Sequence, residues 1–198
     1  MKFVVLADKD AFDNLSSLNA QAEWVLVNNA AEFLSHADAN AFFDLQENAC
    51  TNEHPKVNKP LFLNSVIYPI DKPAIRINGW SGFLENNAWE VSGNISDDAK
   101  DVMSFLNKKI IECPNEPGFI SARIIAMIIN EAYYAEGEQV STQQNIDTAM
   151  KLGTNYPYGP FEWAQKIGIK NVYDLLKKLS MQDSRYTPAP LLQKTAEQ

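Results

Sequence analysis

No glycine precedes Gly79 in this 198-residue chain. A turn that brings backbone against a diphosphate uses the pattern G-x-G-x-x-G, because only glycine dispenses with the Cβ atom there. The first strand-to-helix turn reads instead Ala7-Asp8-Lys9-Asp10-Ala11-Phe12-Asp13, which excludes a phosphate cradle of that kind and offers three acids in its place. Cysteine is scarce too. Cys50 and Cys113 are the only two, too few for a disulfide framework or a cysteine metal site, and a reducing interior is the expectation. No apolar run approaches the roughly 20 residues that span a bilayer. The opening run Phe3-Val4-Val5-Leu6-Ala7 is shorter than the apolar segment of a signal peptide, so the sequence points to a cytoplasmic protein with no membrane partner. Basic side chains are outnumbered 17 to 25, a net charge of −8. Such a surface repels phosphate backbones, and no nucleic-acid partner is expected.

Apolar residues are plentiful: 45% of the chain is hydrophobic and 11% aromatic, enough for a core without staples. Their pattern divides the chain in two. Over residues 1–112, short apolar runs alternate with polar stretches. Strands are expected at Phe3–Ala7, Glu23–Asn28, Leu61–Val66, Ala74–Ile77 and Trp89–Val91, with a helix around Asp38–Asn48. Ser96 is set to cap another helix that runs to about Lys108, with Asp97 and Asp98 in its first turn. This alternation predicts a mostly parallel α/β sheet. Residues 113–198 read as helices only. The first covers about Phe119 to Glu136. A second is opened by a capping box at Ser141-Thr142-Gln143-Gln144 and closed by Gly153. Two shorter helices follow, one stopping at Gly168 and one running from Asn171 to about Ser180. Pro188 and Pro190 suggest an extended tail.

The segment from Pro117, PGFISARIIAMIINEAYYAEGEQVSTQQNIDTAMKLGTNYPYGPFEWAQKIGI, carries several marks in fixed order: PGFI-x-x-R, then NEA, then ID-x-AM-x-x-G followed by P-x-GPFE. In this it resembles the C-terminal domain of the 3-hydroxyacyl-CoA dehydrogenase family. The resemblance implies an α/β plus all-α fold: a truncated Rossmann-like parallel sheet domain over 1–112, without its second and third strands, and a helical dimerisation domain over 113–198. It further implies transfer of hydride between NAD and an acyl-CoA substrate, and homodimerisation through the helical half.

Extended backward, the resemblance places the family's catalytic Glu at Glu90 and its catalytic His, twelve residues earlier, at Asn78. The family's Ser position falls on Val66 and its Asn position on Ala122. An amide does not titrate near neutral pH and cannot act as base, and valine donates no hydrogen bond. Glu90 is therefore the one retained catalytic position, although as a residue it reads more readily as an ordinary strand-end acid, while Asn78-Gly79 also has the form of a turn dipeptide. His36 and His54 lie in other segments and are poor substitutes. With no glycine-rich turn, no cofactor is expected, although NAD is the family's. Taken together, the residues point to a catalytically degenerate relative serving as a dimeric binding or structural module for an acyl-CoA-type or small acidic ligand. The alternatives are an active NAD-dependent dehydrogenase of fatty acid metabolism, or a regulatory partner of one.

Overall fold

A computed structural model describes residues 1–198. The chain divides into two compact units, Met1–Glu116 and Pro117–Gln198. In the first unit, β1 (Lys2–Leu6), α1 (Lys9–Ser16), β2 (Glu23–Val27), β3 (Ala41–Asp44), β4 (Leu61–Asn64), β5 (Ile75–Ile77), β6 (Ala88–Gly93), α2 (Asp97–Phe105) and β7 (Lys109–Glu112) follow one another. The strands form one sheet in the order β2-β1-β3-β4-β5-β6-β7. Every neighbouring pair is parallel except β5 and β6.

Alternate residues of each strand serve opposite faces. Phe3, Val5, Phe43, Phe62, Ile75 and Ile77 join Leu15 of α1 and Ala99, Val102 and Met103 of α2 in one core. On the other face Val4, Leu6, Phe42, Leu61 and Leu63 pack with Phe33 and Ala49, which lie on short 3-10 segments, Ala30–Ser35 and Ala49–Thr51. One face is thus covered by α-helices, the other by short 3-10 segments.

Two sequence expectations are corrected here. The Asp38–Asn48 stretch is no helix, because Ala41-Phe42-Phe43-Asp44 forms β3 with all four residues buried. A strand buried on both faces gives a continuous apolar run, which periodicity cannot tell from a helix segment. The second strand is also present: β2 lies against β1 in the register Lys2↔Glu23 to Leu6↔Val27. In the usual doubly wound order 3-2-1-4-5-6, only the strand beyond β2 has no counterpart. β7 was not anticipated. It is an edge strand with charged ends, Lys109 and Glu112, a common means of blunting an edge, and these charges hide its two isoleucines from an apolar-run reading.

The second unit contains α3 (Ile120–Gly137), α4 (Gln143–Thr154), α5 (Pro160–Ile167), α6 (Ile169–Ser180) and α7 (Pro190–Ala196). α4 is capped by Thr142, whose hydroxyl accepts from the Asn145 amide, one residue later than the expected Ser141. It ends on Asn155 in the left-handed region (φ 56°), so Gly153 is an ordinary residue of the last turn. Asp147 of α4 caps α5, accepting from the amides of Phe161 at 2.8 Å and Glu162 at 3.2 Å. A Cβ at position 159 would sit 2.3 Å from the Asp147 carboxylate, which explains glycine there. The tail is helical where an extended segment was expected. Pro190 occupies the first helical turn of α7, where its missing N–H costs nothing.

Tyr133 of α3 is buried against Phe161, ring centroids 4.9 Å apart. Burial, then the negative charges of Glu136 and Asp147, push its phenol up to about 12 from an ordinary 10. A folded-state value above the unfolded one contributes stability in full below pH 10 and loses it as pH climbs toward 12. Denaturant unfolding should show the helical unit losing roughly 2–3 kcal/mol over that window, and Tyr133→Phe should remove this part of the slope. Parallel curves for the two proteins would count against the assignment.

Candidate functional site

Side chains from three neighbouring strands of the first unit meet where β4 and β5 end. The antiparallel register Ile77↔Val91 sets the next pair, Asn78 and Glu90, opposite one another. That register is why a spacing of twelve residues brings them together. Asn78 is 6% exposed and Glu90 9%, and the Asn78 amide nitrogen lies 3.5 Å from Glu90 Oε2. Asn78 Oδ1 accepts from the Trp80 amide at 3.3 Å. Asn64, the last residue of β4, accepts the Gly79 amide at 3.1 Å and donates to the Leu45 carbonyl at 3.3 Å. The result is a buried, amide-rich cluster around one carboxylate, able to hold a polar group in place and equipped with no base at the position facing Glu90.

Val66 is buried, and its carbonyl accepts from Arg76. The neighbouring Ser65 directs its hydroxyl to the Tyr68 carbonyl at 2.8 Å. Ala122 is fully buried on α3. His54 belongs to a different network: Nε2 lies 2.9 Å from Asp44 Oδ2 and Nδ1 3.2 Å from the Lys72 ammonium. An ammonium can only donate, so Nδ1 accepts and Nε2 carries the proton toward Asp44. Both ring nitrogens are occupied and the side chain is almost fully covered, which removes His54 as a substitute base. His36 ends the Ala30–Ser35 segment.

Sequence reasoning passed over Arg76, Asn64 and the Asp44–His54–Lys72 network. A signal for the first was present: an arginine inside the apolar run Ala74-Ile75-Arg76-Ile77 is a buried charge in waiting.

At the first turn, Asp8 caps α1, its Oδ1 accepting from the Ala11 amide at 2.8 Å. A dinucleotide's pyrophosphate would take those same amides at the helix N-terminus. The carboxylate already holds one and adds its own negative charge, with Asp10 in the first turn beside it. The residues present do not fit NAD in its usual pose. No group of His, Cys, Asp and Glu side chains is arranged to hold a metal ion, and no helix is long and apolar enough to cross a membrane.

The architecture is that of a Rossmann-type sheet joined to a helical domain, as in dehydrogenases of hydroxyacyl substrates. The (S)-3-hydroxybutyryl-CoA dehydrogenase PaaH1 from Ralstonia eutropha superposes over 99% of this chain and 93% of its own, with a TM-score of 0.69 at 18% identity. A 3-hydroxybutyryl-CoA dehydrogenase structure from Escherichia coli K12 covers 72% of this chain and 32% of its own, at 29% identity and a TM-score of 0.59. Residues 118–198, the helical unit, match the 3-hydroxyacyl-CoA dehydrogenase C-terminal domain. Curated relatives include a 3-hydroxyadipyl-CoA dehydrogenase of Escherichia coli K12, 42% identical over 91 residues, and a probable 3-hydroxybutyryl-CoA dehydrogenase of Bacillus subtilis 168, 40% identical over 101. The matched stretches are 45% and 48% of this chain but only 19% and 35% of those relatives.

Proposed function

We propose that this chain is a 3-hydroxyacyl-CoA dehydrogenase relative that binds an acyl-CoA-type or small acidic ligand without transferring hydride, and that it works as a homodimer. The observation that carries the reading is Asn78 facing Glu90, where the resemblance requires a histidine base. Asp8 capping α1 supports it by competing for the amides a cofactor needs. Dimerisation through the helical unit is supported by α3, which exposes Ile120 (54%) and Ile124 (52%) one turn apart, an apolar stripe suited to a partner helix.

A thermal-shift screen with NADH, NADPH, CoA and acetoacetyl-CoA tests the binding part. A ligand at a hundred times its dissociation constant stabilises the folded state by about 2.7 kcal/mol. Stabilisation is expected from the acyl-CoA and none from the nicotinamide nucleotides. Light scattering should report a dimer that Ile124→Glu splits.

An active dehydrogenase is the second reading. It is favoured by the curated relatives' names and by the preserved juxtaposition of positions 78 and 90. Oxidation of NADH on addition of acetoacetyl-CoA, abolished by Glu90→Gln, would establish it and end the first.

A further inference from the structure

Asn78-Gly79 is the chain's only Asn-Gly pair. Its glycine is not there for a turn, since Gly79 is absent from the residues of positive φ. The cause is a close approach: a Cβ at position 79 would lie 2.7 Å from Asn64 Cγ and 2.9 Å from its Oδ1. Asn64 therefore forces a glycine after Asn78.

That choice has a chemical cost. After asparagine, the backbone nitrogen of the next residue can attack the side-chain carbonyl carbon, and a glycine there offers the least steric resistance. The new N–Cγ bond closes a five-membered succinimide. The bond from Cγ to the side-chain nitrogen breaks, and ammonia departs with the proton given up by the Gly79 nitrogen. Water then opens the ring at either carbonyl, leaving aspartate or isoaspartate.

We infer that Asn78 is a latent site of self-modification which Asn64 holds closed. The same side chain that demands the glycine accepts its N–H at 3.1 Å, so the attacking nitrogen is held by a partly buried hydrogen bond. The electrophile is restrained as well, with Oδ1 engaged by the Trp80 amide and the amide nitrogen turned toward Glu90. An aspartate formed here would set a second carboxylate beside Glu90 in a buried position. Two such groups cannot both ionise cheaply, so the product would be a damaged fold, and closure of the site protects it.

The test follows the mass gain of amide-to-acid conversion in the peptide containing Asn78, after incubation of the full-length protein at mildly alkaline pH. Conversion in the folded wild type should be slower than in denaturant by at least about tenfold, equivalent to ~1.4 kcal/mol of local opening free energy. Folded Asn64→Ala should regain most of the denatured rate, while Asn64→Asp, which keeps the acceptor oxygen, should stay slow. Equal rates in folded and denatured wild type would overturn the inference, as would a folded Asn64→Ala as slow as wild type. Should Asn64→Ala fail to fold, hydrogen exchange of the Gly79 amide in the wild-type protein decides: slow exchange supports the closed site and fast exchange overturns it.

Discussion

Replacing Arg76 with methionine should destabilise the sheet unit by about 3–5 kcal/mol. Arg76 sits mid-strand in β5 between Ile75 and Ile77 and is fully buried, at 0% exposure. Its Nε donates to the Ser65 carbonyl at 2.9 Å and Nη2 to the Val66 carbonyl at 3.2 Å. Nη1 reaches Asn115 Oδ1 at 3.1 Å and the Glu116 carbonyl at 3.0 Å. Asn115 in turn brackets Ile70, accepting from its amide and donating to its carbonyl. One guanidinium thus ties the loop after β4 to the segment that ends the unit. Methionine fills similar volume but donates nothing. The carbonyls of Ser65 and Val66, both on buried residues, then lose a charged donor, and a buried group left unpaired costs about 1–3 kcal/mol. Arg76→Lys should recover less than half of the loss, because one ammonium cannot present the planar fork that serves four acceptors. Urea unfolding followed by the fluorescence of Trp80 and Trp89 measures both. A loss under about 1 kcal/mol for Arg76→Met would show that water replaces the guanidinium at these carbonyls.

The strands that sequence patterning located best are those whose apolar runs are bounded by polar residues. Phe3–Ala7 and Glu23–Asn28 were each placed within one residue of β1 and β2. β3 failed because its run, buried on both faces, shows no alternation and reads as well as a helix segment, and the two short 3-10 segments around it lack the amphipathic repeat that marks a covering helix. In the helical unit, the stop at Gly168 was legible because a glycine there meets a positive φ of 90°. Gly153 misled because Asn155, which also tolerates the left-handed region, ends the helix in its place. The Asn78–Glu90 pair was legible through its spacing, since the family resemblance carries the register of two antiparallel strands. Its supports were not. Asn64 at the end of β4 and the Leu45 carbonyl just after β3 reach the cluster from strands whose order no linear pattern states, and long-range polar contacts of this kind leave no periodic trace.

Asn130→Leu should cost about 2–4 kcal/mol and release the C-terminal segment ahead of the rest of the helical unit. Asn130 lies in the Asn-Glu-Ala stretch of α3 and is buried. Its amide nitrogen donates to the Thr187 carbonyl at 2.9 Å, and its oxygen accepts the Ala189 amide at 2.7 Å. These bonds fix the chain just before α7, whose Leu192 is fully buried. Leucine nearly matches asparagine in shape, so packing is kept while a buried donor and a partly buried acceptor lose their partners together. Leu192→Ala removes the apolar half of the same docking, at about 2–5 kcal/mol. The two sites share the docking of one helix, so their effects should fall short of additivity in a double-mutant cycle. Hydrogen exchange at residues 187–196 separates local from global loss. Exchange that accelerates there and not in α5 or α6 would establish Asn130 as the latch of α7. Equal acceleration throughout would mean that the last helix and the bundle unfold as one cooperative body, with the asparagine serving the whole unit.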